Sequence, residues 1–413
     1  MSGMPGALPL ALSTLLSAGL AAGAFCAAPA SALNAPPAAT PASAPTSASP
    51  TAADSTRAEA PTLQVDVLHT GLDIPWEIQF INSTQYLLTE RPARIWLGNI
   101  DPAIPLKRVA ANLSDVWVSK EKGLLGMAVD PAFATNRTFY TCQSNRAASD
   151  FRVIRWRLAA NGVGATRVGK PLIAGIPTGR MHAGCRVLVA PDKSVYVTTG
   201  DAADGLAPQT LTNLGGKILR VNRDGSIPAT NPFAGRTGPI RYVWNWGHRN
   251  VQGLAVRPGT SQMFSAEHGP DMDDEVNRVL KASNYGWDPR FADGTPGYNQ
   301  DVPMTDTIKF PNAVPAIWSS GFPTRATSGM EFVTGPQWGS YTGTLWVALL
   351  KDSGVMALSL TPTGTVAAVA DVPELAGTHG RLRTIRRAPD GSLYVLTANG
   401  GGQDKVLRVT ALG

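Results

Sequence analysis

The chain has 413 residues, a formal charge of +6, 42 glycines and 33 prolines. Its basic residues are scattered rather than gathered into a stripe and no nucleic-acid motif accompanies them, so a nucleic-acid partner is not expected. No Cys-x-x-Cys-His occurs, so a c-type haem is not expected, and no glycine-rich phosphate loop or dinucleotide fingerprint follows a strand, so NAD, FAD and ATP are not indicated.

Leu8 to Ala28 is an apolar, Ala/Leu-rich run, and Ala30-Ser31-Ala32 supplies the small-x-small pattern of a signal-peptidase site. Residues 1–32 are therefore expected to be a signal peptide. No Lys or Arg precedes the run, and its length also suits an uncleaved membrane anchor. A lipid-modified Cys26 is disfavoured, because the preceding Phe25 is bulky. Residues 33–62 are rich in Ala, Pro, Ser and Thr and cannot bury enough apolar surface to offset their ordering entropy, so a disordered linker is expected. The expected location is periplasmic or extracellular, with membrane contact only through the N-terminal segment.

Between Pro75 and the C-terminus one phrase recurs six times: an apolar stretch, a Pro/Asp/Gly turn, a β-rich run and a polar loop. The copies begin near Trp76, Leu124, Cys185, Gly253, Gly329 and Leu382. Cys185-Arg-Val-Leu-Val-Ala-Pro-Asp192 and Leu382-Arg-Thr-Ile-Arg-Arg387 are typical. Each copy reads as short alternating strands joined by a turn, and roughly 60 residues per copy allows four strands plus long loops. The chain is thus expected to be all-β: residues 63–413 form a six-bladed β-propeller of four-stranded antiparallel blades. A propeller brings loops that flank its inner strands to one central mouth, where residues distant in sequence can share a site.

Export would leave two cysteines, Cys142 and Cys185, on neighbouring repeats. They are disulfide candidates in an oxidising compartment, the alternative being two buried thiols.

Several segments at the expected mouth could carry chemistry. His182 precedes the inner strand of the third repeat and could serve as a general base or as a turn histidine bonded to backbone. Arg249 and Asn250 lie in the aromatic-rich run Trp244–Gly253, where they could face a planar, oxygen-rich ligand or merely complete a packed turn. Glu267 to Glu275 holds five carboxylates in nine residues beside a Gly-Pro turn, a composition that suits calcium and equally a solvated acidic loop. Arg381 and Arg383 bracket Leu382 on one side of an extended chain, and Lys351 follows a strand of the fifth repeat. Together with Arg249, these cations suggest a shared anion; taken singly, each could be surface decoration.

These residues bring a family into view. Leu72-Asp-Ile-Pro-Trp76, Thr89-Glu-Arg-Pro92, Val197-Thr-Thr-Gly-Asp201, Gly216-Lys-Ile-Leu-Arg-Val-Asn222, Gly247-His-Arg-Asn250, Glu267-His-Gly-Pro270 and Asn284-Tyr-Gly-Trp287 occur in order. In these the chain resembles the soluble PQQ-dependent sugar dehydrogenases of the glucose/sorbosone dehydrogenase family, which are six-bladed propellers. The resemblance implies oxidation of an aldose-type sugar or related alcohol by hydride transfer to the quinone, with His182 as base and Arg249 stabilising charge on the reduced cofactor. It implies that Arg249, Asn250, Lys351, Arg381 and Arg383 hold PQQ. The main chains of Gly269 and Pro270 would bind the calcium beside it, and Glu275 with the main chain of Tyr285 a second calcium. Glu121, Met181 and Gln209 fall at substrate-contact positions. Met181 stands where the glucose enzyme has an Asp, and a thioether cannot accept a strong sugar hydrogen bond, which argues against D-glucose. Electrons would pass to an external acceptor such as a cytochrome or quinone. Two other readings are a non-catalytic propeller that binds a glycan or protein partner, and a calcium-dependent lactonase-type hydrolase.

Overall fold

The computed structural model describes residues 59–412; the expectations for residues 1–58, signal segment and most of the linker, lie outside them. Six antiparallel sheets follow one another around a ring. Their inner strands are Pro75–Phe80, Leu124–Val129, Gly184–Val189, Val251–Val256, Thr327–Phe332 and Leu382–Arg387, and each packs against the inner strand of the blades on either side. All six expected repeat starts fall within these strands. Five blades have four strands, whereas the second has six. There both Gly164–Arg167 and Ile173–Pro177 pair with Asp150–Leu158, and the short Ala110–Ala111 adds a parallel edge.

The inner and middle strands are buried along nearly their whole length because both of their faces meet a neighbouring blade. Between blades 2 and 3, Leu125, Tyr140, Cys142 and Val153 pack on Cys185, Val187, Val195 and Val197, all at or near zero exposure. Each such aliphatic side chain contributes about 1.5–3 kcal/mol on burial. Cys142 and Cys185 are joined as a disulfide, with Cα atoms 5.6 Å apart, so a covalent bond spans this blade junction. The last blade is completed by the first described strand: Leu63–Leu72 pairs antiparallel with Asp404–Ala411, Leu63 facing Ala411 and Leu72 facing Asp404.

Two features position the mouth. Every inner strand has a break in register near its start, between Pro75 and Glu77, Leu124 and Met127, Gly184 and Val187, Val251 and Gly253, Thr327 and Met330, and Leu382 and Thr384. Bulges of this kind bend the strand and re-aim side chains, here six times at the same end of the ring. Below them the axis is filled by charge. Glu77 of blade 1 accepts from Arg186 of blade 3 and from Arg386 of blade 6 at 2.9 Å, and Arg386 reaches Glu331 of blade 5 at 3.2 Å. Blades 1 and 3 are not neighbours, so their side chains can meet only at the centre.

Candidate active site

His182 sits in the loop that enters the inner strand of blade 3. Its backbone is left-handed, with φ at 62°, as is that of Gly184 at 58°. The loop lies directly on the end of the next strand: a Cβ at Gly200 would come within 1.8 Å of the His182 carbonyl oxygen, so only glycine fits there. A non-glycine residue held at positive φ costs on the order of 1 kcal/mol, a strain that commonly marks a functional position.

That contact delivers the imidazole to Asp201, the residue after Gly200. His182 Nδ1 lies 2.7 Å from Asp201 Oδ1, and both side chains are buried. The Ala203 amide donates to the same oxygen at 2.8 Å. The second oxygen accepts from Trp287 Nε1 at 2.8 Å and from the Tyr298 hydroxyl at 2.6 Å. A carboxylate so loaded remains an acceptor, which assigns the proton on His182 to Nδ1 and leaves Nε2 as the basic atom.

Ala183 and Gly184, next in the chain, line a cavity of about 220 Å3 at the mouth, together with Trp76, Arg91, Glu121, Gln252, His268, Arg381 and Arg383. Glu121 accepts the Ala183 amide at 3.1 Å. Asn250 Oδ1 accepts the Gly184 amide at 3.1 Å, and Arg383 Nη1 donates to Gln252 Oε1 at 3.1 Å. Burial, Arg186 and Arg381 together push the Arg383 guanidinium down to about 9. Burial pushes His268 down to about 4, so it faces the cavity uncharged. The Nε atoms of Arg91, Arg249 and Arg383 and the Nε2 of His268 are buried without a hydrogen-bond partner. Unpaired donors and crowded cations around a cavity constitute a demand for an anionic ligand rich in acceptors.

Arg249 is placed one step away. Its amide donates to Glu267 Oε2 at 2.9 Å, its Nη1 to the His268 carbonyl at 2.9 Å and its Nη2 to Gln300 Oε1 at 2.7 Å. Beneath it His248 Nδ1 lies 2.8 Å from Glu267 Oε1, with the His248 ring stacked 4.3 Å from that of Tyr285. Met181 is exposed beside His182.

Lys351 stands apart. It is exposed on the loop after Leu345–Leu349; its neighbour Leu350, not Lys351 itself, lines the cavity. Gln209 is held by its neighbours: its amide donates to Asn284 Oδ1 at 3.1 Å and to the Trp287 carbonyl at 2.8 Å, and accepts from Asn284 Nδ2 at 2.9 Å. It braces the floor under Trp287.

The metal candidates divide into two places. Pro270 borders a cavity of about 410 Å3 with Asp271, Met272, Asp273 and Gln300. Glu275 is buried against Glu267, and burial followed by that like charge pushes its carboxyl up to about 8. Asn277 Nδ2 donates to both carboxylates, at 2.9 and 3.0 Å, while Asn277 Oδ1 has no partner. Two buried carboxylates beside an unpaired amide oxygen form the kind of oxygen-rich pocket a hard cation suits. Among the described residues, however, no group of three or more His, Cys, Asp or Glu side chains could hold a metal, so main-chain and amide oxygens would have to complete the set.

The sequence model of the Glucose / Sorbosone dehydrogenase family matches residues 72–408, nearly the whole propeller. The chain belongs to that family. It is 29% identical over 362 residues to the aldose sugar dehydrogenase YliI of Escherichia coli strain K12, covering 84% of this chain and 93% of that one. With the quinoprotein glucose dehydrogenase B of Acinetobacter calcoaceticus it shares 25% identity, covering 86% and 89%. The PQQ-bound aldose sugar dehydrogenase of Streptomyces coelicolor superposes with a TM-score of 0.67 at 28% identity, covering 86% of this chain and all of that one.

Within this family assignment, Asp201, Trp287, Tyr298, Arg91 and Gln252 join the site although none was singled out for it by sequence reasoning. Asp201 carried a signal, a carboxylate directly after a strand that ends at the mouth. Tyr298 carried none, since it lies in a long loop without periodicity.

Proposed function

We propose that this protein is an exported, PQQ- and calcium-dependent dehydrogenase that oxidises a hydroxyl-bearing carbon of an aldose-type sugar or related alcohol. The observation that carries this reading is the His182–Asp201 pair at the lip of a cavity whose arginine and histidine donors lack partners. A flat quinone bearing three carboxylates answers that demand in charge and in acceptor number. Arg249, Asn250, Arg381 and Arg383 would hold it, with Arg91 added from the geometry and Lys351 reaching in from the rim. The carbonyls of Gly269 and Pro270 would take one calcium, and Glu275 with the main chain of Tyr285 a second.

When bound, PQQ supplies the two-electron acceptor and calcium polarises it. The protein supplies the rest. His182 Nε2 accepts the substrate hydroxyl proton, and Asp201 fixes the tautomer and carries the compensating charge. Arg249 would present positive charge to the bound cofactor. Glu121 offers a carboxylate to sugar hydroxyls, while Met181 offers only apolar contact, which disfavours D-glucose as the natural substrate. The chain has no haem-attachment motif, so electrons leave to a separate cytochrome or quinone.

Reconstitution tests the reading. Purified apo-protein given PQQ and calcium should acquire quinone absorbance and reduce a redox dye across part of a sugar and alcohol panel. Absence of PQQ uptake at micromolar cofactor would remove it.

A further inference from the structure

The loop between Arg290 and Met304 does more than cover the mouth. Its first part is closed by the Asn299 amide donating to the Pro289 carbonyl at 2.7 Å. Asp288, just before it, is pinned by Arg290 at 2.7 Å and Lys309 at 2.6 Å. The loop packs closely on the turn after Asp201, where a Cβ at Gly205 would lie 2.6 Å from the Gly297 carbonyl oxygen. So anchored, it presents two residues to the two catalytic candidates at once. Tyr298 reaches Asp201 Oδ2 at 2.6 Å and stands 3.3 Å from His182 Nδ1, and Gln300 reaches Arg249 at 2.7 Å.

We propose that Tyr298 is a positioning residue for the reaction: its hydroxyl holds the outer oxygen of Asp201, and through it fixes both the orientation and the proton affinity of His182. This rests on the dehydrogenase reading and goes beyond it by assigning part of the base's behaviour to a loop outside the blades. Asp201 receives four donors, two on each oxygen, and three of them belong to rigid surroundings: His182, the Ala203 amide and the buried Trp287. Tyr298 is the one side-chain donor of the four that borders an open cavity, of about 870 Å3, lined by Leu206, Arg290, Phe291 and Lys309 among others. Burial and the Asp201 charge keep its hydroxyl protonated well above the usual phenol range, so it can only donate to the carboxylate.

The physical consequence follows from hydrogen-bond load. Each donor on a carboxylate withdraws charge from it and weakens its hold on the imidazole proton. Without the hydroxyl, Asp201 Oδ2 keeps Trp287 alone, the carboxylate grips the Nδ1 proton harder, and a protonated His182 survives to higher pH. The other charged groups around the pair are Arg249 from blade 4, Glu121 through the Ala183 amide, and Lys217 and Asp204, whose charges bear on each other beside Asp201. None of them changes in the variant.

The test is Tyr298→Phe, which keeps the ring and removes one oxygen. In reconstituted enzyme, kcat should fall by roughly three- to thirty-fold, PQQ affinity should stay within about two-fold, and the acid limb of the kcat/KM profile should move up by about half a pH unit. On apo-protein labelled with 15N-histidine, the Nδ1–H tautomer of His182 should persist while the pH at which its ring nitrogens titrate moves up with the acid limb; only five histidines compete for assignment. An active wild type with an unchanged acid limb and an unchanged His182 titration in Tyr298→Phe overturns the proposal. A wild type that binds PQQ yet oxidises no substrate instead overturns the dehydrogenase reading, and the nitrogen titration still decides the role of Tyr298. If the variant unfolds, Trp287→Phe, which removes the other donor from Oδ2, must shift the limb in the same direction, and failure to do so also overturns it.

Discussion

Arg186 of the third blade and Glu77 of the first meet on the propeller axis, directly below the candidate cavity. Glu77 is the shared counter-charge for Arg186 and Arg386, both nearly excluded from solvent. Glu77→Gln would leave the buried Arg186 without a carboxylate and Arg386 with Glu331 alone. Breaking a buried pair from one side costs about 3–5 kcal/mol. Thermal melts should show the loss, accompanied by weaker calcium and cofactor retention, because the floor of the mouth rests on this network. A melt within a degree of wild type would mean the network does not bear on stability.

Asp201→Asn keeps the shape of the side chain but can donate where the carboxylate could only accept, favouring the wrong His182 tautomer. Turnover should drop by roughly 10²–10⁴-fold. PQQ retention, read by quinone absorbance after gel filtration, should be preserved. Joint loss of binding and turnover would place Asp201 in the cofactor cradle instead.

The two cations expected at the cradle now separate. Arg383 lines the cavity with an unpartnered Nε, whereas Lys351 is exposed at its rim. Arg383→Ala should weaken PQQ binding by at least about ten-fold, since hydrogen bonds to charged groups are worth about 1.5–3 kcal/mol. Lys351→Ala should weaken it less, with a smaller penalty at high salt because an exposed charge is screened. Equal effects at all ionic strengths would show that Lys351 enters the cavity on binding.

Asp130 gives a pH-dependent prediction for stability. Burial pushes its carboxyl up, but Tyr140, the Ala132 amide, Asn136 and Arg223 outweigh this, and the net direction is down from 3.8. A carboxylate depressed on folding stabilises fully above its unfolded value, and that stability is lost as pH falls through the lower folded one. Asp130→Asn should therefore lower Tm at pH 7, and the gap to wild type should narrow once the pH drops below 3.8. A gap that widens in acid would reverse the sign of this argument.

The repeat starts were legible because inner strands are pressed between neighbouring blades and must be apolar on both faces; Leu124–Val129 and Gly184–Val189 could hardly read as anything else. The closing strand Leu63–Leu72 was not, because it is the fourth strand of the last repeat placed at the other end of the chain. Arg381 and Arg383 could be assigned to one side from their spacing, and both line the cavity. Glu77 and Arg186 escaped notice because a charged residue in an alternating strand resembles one facing solvent, and nothing local reveals that its partner is another blade across the axis. The bonding of Gln209 was hidden for a related reason: its three hydrogen bonds go to Asn284 and Trp287, more than 70 residues away.

The ladder between Leu63–Leu72 and Asp404–Ala411 bears on how the protein is made. A nascent chain carries the opening strand from the outset with no partner to bond, and its backbone amides must wait while more than three hundred residues are added. The circle is sealed only when the final strand emerges, so a ribosome that stalls before Asp404 releases an arc with two raw edges and no enclosed chamber.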